Sequence, residues 1–258
     1  MIKLDINKKN FETLRVLLKN VEKELEIKVI YLIYNEGEEI DFSHVKKIQK
    51  FLSKLKDKSA LIILEGIGGF SEAGKKLALE FRSKFTQSYF VAIPNFAASS
   101  LIFTVFPSSA LFIDNLSYVS PVEPLIEYKK GYFLRLESTV TLMKNKDKKV
   151  RNKAKICWTN QANFVLKMLE KIPYSIVHEY NSLGIDKLKD IVKLFLLSPH
   201  TRRITKKELK KIGFLCWDVE GKEYWENIKK FTNSLKSELI KDKKISFIIG
   251  DSDSYNCY

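Results

Sequence analysis

Cysteine is scarce in this chain. Cys157, Cys216 and Cys257 are its only three, far apart and without a CxxC pair. That spacing excludes a zinc ribbon and gives no disulfide framework, so two core thiols and one tail thiol are expected. No Pro/Ser/Gly-rich tract marks a flexible linker, and no segment repeats at a fixed period. Met1-Ile2-Lys3-Leu4-Asp5 lacks the apolar core of a signal peptide. The longest apolar stretch, Phe96 to Ile113, is broken by Ser, Thr and Pro and is too polar for a membrane-spanning helix. A cytoplasmic protein without a membrane partner is therefore expected. No metal-ligand cluster and no nucleotide-binding glycine loop occurs, so neither metal nor cofactor is implied.

What the chain does have is the material of a globular protein: 45% hydrophobic and 12% aromatic residues over 258 positions. That suits one large domain, or one domain with a helical appendix. The net charge is +14, which raises the question of an acidic partner. The densest basic run is Lys144, Lys146, Lys148, Lys149, Arg151, Lys153 and Lys155. No RNP aromatics, zinc finger or KH-type glycine loop accompanies it, and it reads as a solvated helical face; nucleic acid is not an expected partner.

Hydrophobic spacing organises the rest. Phe11, Leu14, Leu17, Leu18 and Val21 recur at helical period over 8–25. Lys28 to Tyr34 is a strand, and Ser43 is positioned to cap a helix over Val45, Ile48, Phe51, Leu52 and Leu55. Ala60 to Leu64 is a continuous apolar run of the kind buried on both faces of a sheet. A glycine turn follows at Gly66, Gly68 and Gly69, then a helix from Ser71 to Phe85, a strand from Tyr89 to Ile93, a short apolar helix over 98–106 and a strand over Ala110 to Ile113. This alternation predicts βαβ units and a mostly parallel sheet, with functional groups at the C-terminal strand ends. Beyond Pro124 the pattern is mainly helical from 138 to 197. A strand is expected over Phe214 to Val219, a helix over 222–240, a last strand over Lys244 to Ile249 and a frayed tail from Asp251.

Two segments can carry chemistry. Consecutive glycines after a buried strand let backbone N–H groups turn inward, where they can hold a developing oxyanion; alone they read as a tight strand-to-helix turn. Pro94-Asn95-Phe96-Ala97-Ala98-Ser99-Ser100 ends the next strand. On its own Ser99 there reads first as a plain helix cap, and the same place also suits a nucleophile beside a helix N-terminus.

Taken together, residues 59–125 resemble the serine dehydrogenase proteinase family, relatives of signal peptide peptidase A in the ClpP/crotonase superfamily. The family pattern is a strand, H-T-P-G-G, a helix, a strand, P-x-x-A-x-S-A-G-T and then L-G-P-I-D-P. Here these read Glu65-Gly66-Ile67-Gly68-Gly69; then Pro94, Ala97, Ser99, Ser100, Leu101, Ile102; then Val119-Ser120-Pro121-Val122-Glu123-Pro124. A second patch, H-x-x-x-I-x-x-x-E-A-K-x-L-G-L, is echoed by His200, Ile204, Glu208, Leu209, Lys210, Ile212, Gly213 and Phe214. The departures are His-Thr-Pro replaced by Glu-Gly-Ile, and the glycine after the nucleophile replaced by Leu101.

The resemblance implies a ClpP/crotonase-like α/β fold of ββα units, with a core over 1–130 and a mainly helical extension over 131–258. It also implies a homo-oligomer and a serine peptidase acting on peptides or proteins. Ser99 would be the nucleophile; Gly68, Gly69 and the Ser100 N–H would form the oxyanion hole. His200 and a lysine between 129 and 155 stand as alternative bases, with Glu123 as an orienting or substrate-contacting group. A non-catalytic scaffold of the same fold and an acyl-CoA enzyme are the competing readings, since fold alone does not choose among them.

Overall fold

Six apolar residues in a row, Val29–Tyr34, leave no side of a strand for water, and all six are buried. The same holds for the five apolar residues Ala60 to Leu64, and Glu65 after them is buried too. Strands of this kind need cover on both faces, and that requirement shapes the molecule. The computed structural model describes residues 8–122, 125–129, 132–135, 143–144, 146–170, 185–241 and 244–258. Its elements in chain order are α1 (Lys8–Leu25), β1 (Val29–Tyr34), α2 (Phe42–Leu52), β2 (Ser59–Glu65), α3 (Ser71–Lys84), β3 (Ser88–Ile93), β4 (Phe96–Ala97), a 3-10 helix (Ser99–Thr104), β5 (Leu111–Ile113), β6 (Tyr118–Val119), β7 (Leu125–Lys129), β8 (Tyr132–Arg135), α4 (Lys148–Glu170), α5 (Ile185–Leu196), β9 (Ile204–Thr205), α6 (Lys206–Lys211), β10 (Cys216–Trp217), α7 (Glu223–Lys241), β11 (Phe247–Asp251) and β12 (Tyr255–Cys257).

The chain is a mixed α/β protein. Its large sheet has seven strands in the order β10-β5-β3-β2-β1-β11-β12. The first five run parallel, with Leu32 opposite Leu64, Ile62 opposite Val91 and Ala92 opposite Phe112. β11 and β12 add antiparallel at the β1 side. A second sheet, β4-β6-β9, is short, and β7 pairs with β8 as a separate hairpin. Alternate residues of each central strand feed opposite cores. Ile30, Leu32, Ile62 and Leu64 pack with α2, α3, α4 and α5, and Tyr31, Ile33, Leu61 and Ile63 pack with α1 and α7.

Several sequence expectations change. The apolar helix over 98–106 is a six-residue 3-10 helix whose side chains are all buried, so it is too short to act through a helix dipole. Asp41, rather than Ser43, caps α2, because the helix starts two residues earlier than a Ser43 cap would set it and the Asp41 carboxylate accepts the His44 N–H at 2.9 Å. The strand expected over 214–219 shrinks to Cys216–Trp217, and the last strand moves to Phe247–Asp251. The tail is not frayed: Tyr255–Cys257 is an edge strand, the Ser246 N–H donates to the Tyr258 carbonyl at 2.5 Å, and the tail thiol of Cys257 is buried. Within the mainly helical second half, the two expected strands and the tail strand join the main sheet as β10, β11 and β12. The boundary expected at residue 130 falls outside the described residues.

Candidate functional site

The site is built where β2 and β3 end. β2 stops at Glu65, and the chain turns through Gly66, Gly68 and Gly69, all with positive φ. β3 stops at Ile93, and β4 carries the chain to Ser99. The two segments are stitched together. The Ala98 N–H donates to the Gly66 carbonyl at 3.0 Å, and Gly66 and Ala97 form a parallel bridge. The sheets therefore meet here, and Ser99 is delivered beside the glycine turn.

Contact at that junction is tight. A Cβ on Gly68 would stand 2.5 Å from the Ala98 carbonyl oxygen, 2.7 Å from Ser99 Cβ and 2.8 Å from the Ser100 nitrogen. No side chain fits, so glycine is required. A Cβ on Gly74 of α3 would likewise collide with the Ser100 carbonyl. Gly74 thus lets Ser100 pack closely against α3, and Leu101 is buried in the core.

Ser99 itself has a φ of 52°, in the left-handed region. For a non-glycine residue this conformation costs on the order of 1–2 kcal/mol and persists only where the surroundings impose it. Such outliers concentrate at functional centres. The Ser99 N–H donates to Ser120 Oγ at 3.2 Å, and both residues are buried. The Ser99 hydroxyl makes no hydrogen bond among the described residues. Nor do the N–H groups of Gly68, Gly69 and Ser100 find an acceptor among them. Unpaired backbone donors at a buried turn are rare. Of the three, those of Gly68 and Ser100 belong to the junction at Ser99, whereas Gly69 packs against Ile40 and Glu39.

Of the expected site residues, Gly68 lies against Ser99 and Ser100, while Gly69, the next residue of the turn, packs against Ile40 and Glu39. His200 is half-buried in the turn between α5 and β9, and no hydrogen bond or ion pair joins it to Ser99. Glu123 lies outside the described residues. Lys144, Lys146, Lys148, Lys149 and Lys155 are exposed. No lysine bonds to Ser99 among the described residues.

Other residues at the strand ends escaped the sequence reading. α7 crosses the C-terminal ends of four parallel strands and grips them in order. Trp225 Nε1 and Lys229 Nζ reach Asp114 after β5, at 3.0 and 2.7 Å. Asn233 Oδ1 accepts from Asn95 after β3 at 3.0 Å, and Lys236 Nζ reaches Glu65 of β2 at 2.6 Å. The Leu239 carbonyl accepts from Asn35 after β1 at 3.0 Å. From Lys229 to Leu239 the helix rises about 15 Å, close to the roughly 14 Å spanned by three inter-strand spacings. The signal was present: Lys229, Asn233 and Lys236 form a polar stripe beside the apolar Ile228, Phe231 and Leu235.

Glu65 has no exposed surface, and both its oxygens are taken, one by Lys236 and the other by Asn95 at 2.9 Å. It serves as a clamp that ties the glycine turn to the segment leading to Ser99. Burial works against ionisation of Asp114, but hydrogen bonds from Lys229, Ser117 and Trp225 overcome it and hold the carboxyl well below the usual carboxylate range. A cleft of about 350 Å³ flanks the turn, lined by Gly66, Ile67, Phe96, Lys236 and Ile240 among others. Across the small sheet, Arg203, Tyr118, Phe96 and Lys236 stack as a cation–aromatic column, with the cations 4.7 and 4.8 Å from the ring centres. Among the described residues no group of His, Cys, Asp and Glu could hold a metal ion, and no helix is long and apolar enough to cross a membrane.

No protein-family model matches the chain, and no curated protein does. Among solved structures it is similar to ClpP1 from Listeria monocytogenes, at 13% identity and a TM-score of 0.41, over 77% of this chain and 96% of that one. A point mutant of the same Listeria protein is also similar, at 13% identity and a TM-score of 0.38, over 81% of this chain and 99% of that one.

Proposed function

We propose that this chain is a serine hydrolase of ClpP/crotonase type, cleaving peptide-type acyl bonds at Ser99. One observation carries the reading: a buried serine with left-handed backbone stands against Gly68 of a glycine turn, and the N–H groups of Gly68, Gly69 and Ser100 are unpaired among the described residues. In the reaction, Ser99 Oγ adds to the substrate carbonyl carbon and the carbonyl π electrons move to oxygen. The glycine-turn and Ser100 N–H groups hold the resulting anion. The serine proton passes to a base and then to the leaving nitrogen as the carbon–nitrogen bond breaks. Water reverses the sequence on the acyl-serine. His200, a lysine or Glu123 supplies the base or its orientation, from the same chain or from a second copy of it in a homo-oligomer.

The second reading is a non-catalytic scaffold of the same fold. The unbonded Ser99 hydroxyl favours it, because a serine hydroxyl is a weak nucleophile until a base takes its proton. A fluorogenic peptide library separates the two. The hydrolase reading expects turnover that disappears in Ser99→Ala. Turnover that persists in Ser99→Ala contradicts it, and absence of turnover with an intact fold supports the scaffold.

A further inference from the structure

Among the described residues, Ser120 is the one side chain that touches the backbone of Ser99 through a hydrogen bond, and nothing in the reaction described above uses it. Ser99 sits in the left-handed region, where a serine does not stay unless held. On its C-terminal side the chain is fixed by the 3-10 turn, with the Leu101 N–H on the Ala98 carbonyl at 3.2 Å. On its N-terminal side Ala98 is fixed by Gly66. The Ser99 N–H lies between these fixed points, and its acceptor is Ser120 Oγ at 3.2 Å. Ser120 is 5% exposed and Ser99 7%, so water is poorly placed to replace that bond. Ser120 is itself immobilised, because its own N–H donates to the Ala97 carbonyl at 3.1 Å at the end of the β4–β6 pairing, and Pro121 follows it.

We propose that Ser120 is a positioning residue that holds the Ser99 N–H away from the oxyanion cradle and locks the left-handed turn presenting the Ser99 hydroxyl. The inference rests on Ser99 being the reactive serine. It adds a division of labour among three neighbouring N–H groups. Ser99's is consumed by Ser120, while those of Gly68 and Ser100 stay unpaired for substrate oxygen. Without the Ser120 hydroxyl, the Ser99 N–H is left buried and unpaired, and the turn gains a reason to flip.

Two readouts test it, one independent of chemistry. Amide hydrogen exchange on the full chain should show the Ser99 N–H protected like the strand amides of β2. Fast exchange at Ser99 in the wild type overturns the proposal without any variant. In Ser120→Ala, Ser99 protection should fall at least tenfold while β2 amides stay unchanged, and Ser120→Thr, which keeps the hydroxyl, should restore it. In parallel, the rate of fluorophosphonate labelling at Ser99 should fall roughly tenfold in Ser120→Ala and recover in Ser120→Thr. Unchanged protection and unchanged labelling in Ser120→Ala would overturn the role. Equal loss in Ser120→Ala and Ser120→Thr would also overturn it, since packing rather than the hydroxyl would then be at work. Loss of protection in Ser120→Ala, with no labelling of the wild type, leaves the Ser120 bond standing and removes the nucleophile reading.

Discussion

At the scale of single residues, the site depends on positions where one atom more would not fit. Gly68 is the sharpest. An alanine there puts Cβ against Ala98, Ser99 and Ser100 at a φ of 89°. Gly68→Ala should cost on the order of 1–3 kcal/mol, read as a lower thermal midpoint, and should abolish reactivity at Ser99. An unchanged midpoint would mean that the turn and Ser99 are not in contact. Asp114 gives a test by pH. Its folded carboxyl titrates below the unfolded range of about 3.9, so its contribution is present above that pH and is lost as pH falls toward the folded value. Asp114→Asn should therefore be less stable than wild type at pH 7, by roughly 2 kcal/mol, because Lys229 loses a partner in a largely buried setting. Denaturant titrations should show that gap narrowing below pH 4. A gap that is constant from pH 7 to pH 3 would contradict the assignment.

At the scale of elements, α7 is a strut across the strand ends, and its polar contacts hold the glycine turn as well as the sheet. Lys236→Ala breaks the ion pair to a fully buried carboxylate, which typically destabilises by about 3–5 kcal/mol. It should also loosen the turn at Gly66, seen as faster amide exchange over 66–69. Restoring the packing without the charge, as Lys236→Met, should recover neither. The elements were largely legible in the sequence because continuous apolar runs, such as Val29 to Tyr34 and Ala60 to Leu64, admit one environment only. The serine segment and the glycine turn beside it were legible for a different reason, since glycine at 68 and 69 and the serine after a strand are local features. What was hidden depends on contacts between distant residues: Asn95, Lys236 and Glu65 lie up to 171 positions apart. The strand at 255–257 was hidden too, because its short polar sequence gains its place only from pairing with β11. The pairing of Ser120 with Ser99 leaves no trace in spacing or composition.

At the scale of the whole molecule, the five parallel strands, the antiparallel edge made by the C-terminal residues and the small second sheet form one frame around the Ser99 junction. The homo-oligomer proposed with the function is checked by light scattering. A mass of several chains at micromolar concentration is expected, and a species of ~30 kDa alone would count against it. The central claim is that this frame makes Ser99 a reactive serine, and a fluorophosphonate probe followed by peptide mapping tests it most directly. A single adduct on Ser99 that disappears in Ser99→Ala is the predicted result. An adduct on Ser100 or elsewhere, or none on wild-type protein of intact fold, would contradict it.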